Sequence, residues 1–329
     1  MKTTVGLLIA IVLSLSVLTM QPIAAADVPN TTSADAPVVV CTTSVLSSFV
    51  EAIAGDLVNV TTLVQPGVCP GHFDIKPSDV SAVSMASLVL YHGFEPWLQN
   101  LIAASGNNDV NVVTVSGPWN TPAFGLSYAK RVADALMATF PEWNATFAEN
   151  NATLTDNIQS TAEDILDEIA PLSPENYNVT CMEWQVAFVK WLGFNIAVSY
   201  PSEESLSTAD TLRITEASRG NSCALVIDNL QSGSEFGAQL AQEIGAVHVV
   251  LSNFPDAVPG THDYCSLLTY NAEQMIYGMN TYLDQKGQIS ELQNALRTAQ
   301  DLNMALGATT IFLAAVVVVE AVLLHKRKQ

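Results

Sequence analysis

The sequence predicts an α/β protein of two lobes, each a parallel sheet with crossover helices, joined by one long rigid helix and followed by a C-terminal transmembrane helix. Three observations carry this. β-Branched runs alternate with helix-compatible stretches in both halves of the chain, the pattern of a parallel sheet wrapped by helices. Between the halves, Trp143, Phe147, Leu154, Ile158 and Ile165 form a single apolar stripe at spacings of four and seven. Near the C-terminus, residues 305–324 carry Glu320 as their only charge, and Lys326, Arg327 and Lys328 follow at once.

At the N-terminus, Lys2, the apolar stretch 5–17 and the small residues Ala24, Ala25 and Ala26 have the three-part layout of a secretory signal peptide over residues 1–26. The first lobe, 37–140, opens on the strand-like run Val38-Val39-Val40-Cys41-Thr42-Thr43 and a helical stretch to Ala54. Residues 58–63 extend again, Ser78-Asp79 begins a helix, and 88–91 and 110–115 read as strands with a helix opening at Pro96 between them. The linker helix, 141–170, starts just after Pro141-Glu142 and ends by Pro171. A flexible joint would be rich in Gly and Ser, so the lobes are expected at a nearly fixed angle with a cleft between them. The second lobe, 175–286, repeats the alternation, with strands at 179–182, 196–198, 225–227 and 247–251 and helices around 184–192 and 236–244. Residues 287–304 are expected to form a stalk. The span 305–324 reaches about 30 Å as a helix, enough to cross a bilayer, and the basic tail 325–329 sets the C-terminus in the cytoplasm with the lobes outside.

Composition narrows the function. Hydrophobic residues make up 49% of the chain and charged ones 13%, so it buries a core and is not a disordered polymer. Thirty-two Asp and Glu against 12 Lys and Arg, net −20, leave no basic stripe to neutralise a phosphate backbone, which excludes nucleic acid as a partner. Five cysteines are too few for a disulfide scaffold. No Ser/His/Asp ordering, phosphate-binding Gly loop or carboxylate dyad points to an enzyme.

Several segments then carry a likeness. Val60-Thr61-Thr62-Leu63-Val64-Gln65-Pro66-Gly67 is followed by Pro77-Ser78-Asp79. Leu88-Val89-Leu90-Tyr91-His92-Gly93 is followed by Glu95-Pro96-Trp97-Leu98, and then come Trp119 with Pro122 and the long helix. In this order and spacing they resemble the metal-specific substrate-binding proteins of ABC importers, the zinc and manganese cluster, over roughly residues 37–286. The resemblance implies two lobes joined by a rigid helix, a metal ion held in the cleft by loops at strand ends, and an ABC permease as partner. It also implies a ligand set of three His, one after each of the first two landmarks and one early in the second lobe, with a late Asp or Glu. Matched without gaps, these positions fall on Gly71, Gly117, Met182 and near Ser252, so none of the four is kept.

Two explanations compete: the site has been rebuilt with other donors, or it has been lost and the scaffold serves a non-metal solute or a surface interaction such as adhesion. For rebuilding, Cys69-Pro70-Gly71-His72 lies in the first ligand loop with a C-x2-H spacing, and Met182 and Glu183 lie at the corresponding strand end of the second lobe. His262 and Asp263, in the late loop 252–264, could close the sphere. Thiolate, imidazole, thioether and carboxylate together favour a divalent transition metal, zinc first, as the transported ligand over calcium or magnesium. His92, at a strand end, and His248, inside an apolar strand, read as structural.

Overall fold

The computed structural model describes residues 36–327; the expected signal peptide, 1–26, and the last two tail residues lie outside them. The Val-rich run forms β1 (Val38–Cys41), in which Val39, Val40 and Cys41 have no exposed surface. A strand covered on both faces reads as a continuous apolar run, and such strands belong to the middle of parallel sheets. β1 pairs in parallel with β2 (Asn59–Thr62) on one side and β3 (Ala86–Tyr91) on the other, and β4 (Asn111–Thr114) lies outside β3. The order is β2-β1-β3-β4. Helices α1 (Ser44–Ala54), α2 (Pro77–Ser84) and α3 (Leu98–Ser105) make the crossovers.

Two helices lead to the second lobe, α4 (Pro122–Thr139) and α5 (Asn144–Ile169). α5 is about 39 Å long and buries the predicted stripe of Phe147, Leu154, Ile158 and Ile165, together with Ile169, against α1 and α4. Its apolar residues join one core cluster that reaches into both lobes, with Leu90 and Val45 on one side and Ile227 and Leu251 on the other. This shared core is what fixes the lobes to each other.

The second sheet repeats the first. β5 (Asn178–Met182), β6 (Asn195–Tyr200), β7 (Leu225–Asn229) and β8 (Val247–Leu251) pair in parallel in the order β6-β5-β7-β8. α6 (Val186–Trp191), α7 (Thr208–Gly220) and α8 (Glu235–Ile244) cross over between them. In each sheet the chain runs from the first strand to one edge and then returns past it to the other. The loops after β1 and β3, and after β5 and β7, therefore part and leave a crevice at the strands' carboxyl ends.

Two helices, α4 and α7, were not read from the sequence, although both carry a start signal. Thr121 accepts the Phe124 N–H at 3.4 Å, with Pro122 in the first turn of α4. At α7, Ser207 and Asp210 accept each other's backbone N–H at 3.2 and 3.3 Å, a capping box. α9 (Tyr264–Arg327) is one unbroken helix of 64 residues. Its opening turns bury Tyr264 against the first lobe beside Phe49 and Gly125, and Leu268, Met275 and Met279 in the core, and every residue from 284 to 323 is exposed. That exposed part contains a stretch long and apolar enough to cross a membrane.

Candidate binding cleft

Each strand end contributes one piece of the cleft. After β3 the chain turns sharply around Glu95, a buried carboxylate that accepts the backbone N–H groups of His92, Gly93 and Phe94 at 2.9 to 3.0 Å and the Thr42 hydroxyl at 2.6 Å. This latch fixes His92 inward and leaves Phe94 half exposed at the cleft. His92 is 2% exposed, its Nε2 2.7 Å from the Thr43 hydroxyl and its Nδ1 3.2 Å from that of Tyr128. Burial holds the imidazole down to about 4, outweighing the opposing pull of Glu95, so the ring is neutral at pH 7. It is a structural histidine, as its strand-end position suggests.

The His92 ring is one layer of an aromatic stack. Phe94 lies 5.2 Å away at an interplanar angle of 7°, and Trp119, from the loop after β4, lies 4.5 Å away at 25°. Trp119 stacks in turn on Phe254 of the second lobe at 5.7 Å and 23°, and its Nε1 donates to the Asn253 carbonyl at 2.8 Å. Asn120 crosses the same gap to the Trp184 carbonyl at 2.7 Å, and Gln231 of the second lobe reaches the Pro66 carbonyl at 3.0 Å.

Beneath the second-lobe wall lies an amide network. Gln185, fully buried, donates to the side-chain carbonyls of Asn253 at 2.8 Å and Asn229 at 3.2 Å, and Asn229 donates to the Ser232 hydroxyl at 2.9 Å. Gln231 accepts the Asn253 N–H at 3.1 Å and donates to the Ser252 hydroxyl at the same distance. Two adjoining cavities of about 250 and 300 Å³ share Phe94, Trp119, Trp184 and Asn253. Gly71 borders one and Gly117 the other, the positions onto which two of the resemblance's histidines fall.

Of the six candidate donors, Cys69 lines the cleft. His72 and Glu183 are exposed, and His72 lies 3.8 Å from Glu204, both side chains more than 60% exposed, a pair worth little in water. Met182 is 1% exposed in the second-lobe core beside Val198 and Tyr200, its sulfur accepting the Trp184 N–H at 3.3 Å. His262 pairs with Asp256 at 3.0 Å on the surface. Asp263 caps α9 by accepting the Ser266 N–H at 2.7 Å, and lines a separate cavity of about 340 Å³ with Ser48 and Thr161. Among the described residues no three His, Cys, Asp or Glu side chains stand close enough to hold one ion. Of the residues that do converge, Phe94, Trp184 and Gln185 were not singled out in the sequence, and Phe254 entered only as part of the late loop 252–264. Their only signal is that each falls within a few residues of a strand end.

Two parallel sheets facing each other across a cleft, with a rigid helix between, define a solute receptor that holds its ligand between lobes. The chain belongs to the family described as zinc-uptake complex component A, periplasmic, whose model matches residues 39–278; this is a family of solute-binding receptors of ABC importers and not of enzymes. It is 22% identical over 267 residues to the manganese-binding lipoprotein MntA of Halalkalibacterium halodurans, covering 74% of this chain and 88% of that one. It is 28% identical over 136 residues to the manganese ABC transporter substrate-binding lipoprotein PsaA of Streptococcus pneumoniae, covering 33% of this chain and less than half, 44%, of PsaA. Its fold matches the periplasmic zinc binding protein TroA from Treponema pallidum with a TM-score of 0.64 at 16% identity, over 74% of this chain and 99% of that one.

Proposed function

We propose that this chain is the substrate-binding receptor of an ABC importer, held at the cell surface by its own C-terminal helix, with its cargo captured between the lobes. The observation that carries the reading is the pair of cavities at the facing strand ends, walled by loops from both lobes, in a chain of this family. Residues 305–324 cross the membrane, and Lys326, Arg327 and Lys328 lie on its cytoplasmic side, where positive charge is retained. The lobes then stand outside, tethered beside the permease. Cross-linking in native membranes tests this partnership: an adduct between the chain and a permease subunit is the expected outcome, and an unpartnered chain contradicts it.

A transition-metal ion is the cargo suggested by the names of the relatives, manganese for MntA and PsaA and zinc for TroA. On this chain it would draw on Cys69 and His72 from the first lobe and Glu183 from the second, a donor set that suits zinc and that comes together only if the loops carrying them move. Met182, His262 and Asp263 could join only if the core, the surface loop and the cap of α9 rearranged. Titration of the full-length chain in detergent with zinc, manganese, iron(II) and copper(I) reads the outcome as a rise in Tm, following about RT ln(1 + [L]/Kd). Where an ion does raise the Tm, His72→Ala and Glu183→Ala should each weaken its binding at least tenfold, about 1.4 kcal/mol. A Tm indifferent to every ion removes the metal cargo and leaves the receptor. The second reading, a non-metal solute on the same scaffold, is favoured by the rings and amides that line the cavities.

A further inference from the structure

The receptor reading leaves open the class of solute, and the cleft wall narrows it. Phe94 and Trp184 are 50% and 61% exposed, one from each lobe, and both border the two cavities. Large rings exposed at the two walls of a cleft offer apolar surface that a ligand held between them would cover. Between them the planes of His92, Trp119 and Phe254 lie within 25° from ring to ring, so the cavities have a layered, flat-sided base.

The polar groups at this wall are the Cys69 thiol and a set of amides and hydroxyls largely engaged with one another, and among the described residues no Lys, Arg, Asp or Glu lines either cavity. A metal ion entering here would shed its water with Cys69 as the single ionisable side chain lining either cavity among the described residues, too few donors to replace that water. A neutral flat molecule meets no such penalty, and offset stacking on Trp and Phe adds to its apolar burial. Room is available where the glycines stand. A Cβ built on Gly117 would meet nothing within 4 Å, and one on Gly71 only the Cys69 sulfur at 3.8 Å. Since a cavity of about 150 Å³ holds benzene, volumes of about 250 and 300 Å³ suit one or two fused rings.

Granted the receptor reading, on which this ligand class rests, we propose that the cleft binds an uncharged, planar heteroaromatic solute of one or two rings. It stacks between the Phe94–Trp119 wall and Trp184, its polar edge met by Asn253. Metal ions and anions are then poor occupants, and a quaternary ammonium ion, which aromatic walls also attract, is the competitor the test must separate.

The test uses the full-length chain in detergent, with adenine and indole as probes and tetramethylammonium, benzoate, zinc and manganese as comparisons. Binding is read by calorimetry and by quenching of tryptophan fluorescence. Adenine or indole should bind saturably and at least tenfold more tightly than any comparison. Trp184→Ala and Phe94→Ala should each weaken that binding at least tenfold, and Gly71→Leu, which fills the cavity from an exposed turn, should abolish it with Tm unchanged. Should Gly71→Leu lower Tm, the two ring variants at exposed positions decide the matter. Tighter binding of tetramethylammonium would overturn the proposal in favour of a cation cage. Zinc or manganese binding lost in Gly71→Leu would overturn it in favour of a metal site, and so would probe binding indifferent to all three variants, or none at all, in favour of a cleft with another use. These results bear on the ligand class alone, whereas the permease cross-link bears on the receptor reading.

Discussion

At the scale of single residues, the metal donors and the cleft parted company because the two were sought by different signals. His, Cys and carboxylates stand out in a sequence, and C-x2-H invites a metal. A Phe or Trp just after a strand looks like any core aromatic until its partner from the other lobe is seen. Trp119 was legible only as a landmark, and the amide network of Gln185, Asn229 and Asn253 joins residues from three strand ends that no spacing rule connects. Cys181 and Met182, adjacent on β5, pack into different core clusters on opposite faces of the sheet, as strand alternation requires. His92 gives a residue-scale prediction. Its imidazole is held down to about 4 by burial, from the ordinary 6.5, with Glu95 and Tyr128 facing it. Above pH 6.5 the folded and unfolded chains are both neutral at this position. As the pH falls from there, the unfolded chain takes up a proton that the folded one refuses, so stability is lost by about 1.4 kcal/mol per unit. The loss levels off once the folded ring titrates too. His92→Gln keeps a polar partner for Thr43 and cannot titrate there, so its Tm should fall less steeply over that window. Parallel slopes for the two proteins would remove His92 as the source.

Among the elements, the parallel strands were the most legible, because full burial on two faces writes an unbroken apolar run such as Val38-Val39-Val40-Cys41. The linker stripe was equally plain, since α5 buries one face along its whole length. α7 was missed because it is a surface helix whose buried residues are only Ile214, Thr215 and Ser218, too few to mark a period. α4 was missed although Tyr128, Val132 and Leu136 recur at spacings of four on its buried face, and the small residues of that face carry its most specific contact. A Cβ on Gly125 would lie 2.3 Å from the Tyr264 ring and hydroxyl. Tyr264 cannot retreat, being 2% exposed, with its hydroxyl 2.6 and 2.7 Å from the carbonyls of Trp119 and Thr121. Gly125→Ala gains about 1 kcal/mol of helix propensity but overpacks a core contact, which typically costs about 1–3 kcal/mol. The expected result is a net loss near 1 kcal/mol with the Trp119 loop disturbed, seen as a lower Tm and weaker ligand binding together. A more stable variant would show that α4 and α9 can slide apart.

For the whole molecule, the lobes are joined by more than the linker. The core runs through α5, and Trp119, Asn120 and Gln231 bridge the cleft walls directly. α9 then passes from the second lobe into a long exposed helix without a break, so the stretch proposed as the anchor is continuous with the lobes. Ending the chain after residue 300 should release a soluble protein into the medium with the Tm of the lobes unchanged; retention of the shortened chain on membranes would place the anchor elsewhere. In intact cells a tag on the C-terminus should resist external protease while the lobes are digested. The central claim is that this cleft recognises its solute by rings and amides in place of metal donors. Native mass spectrometry of the full-length chain, taken from its own membranes into detergent, addresses it most directly. The account predicts a one-to-one adduct with the mass of a one- or two-ring organic molecule, absent from Gly71→Leu. A single metal ion in place of any organic adduct, lost in Gly71→Leu, would contradict it.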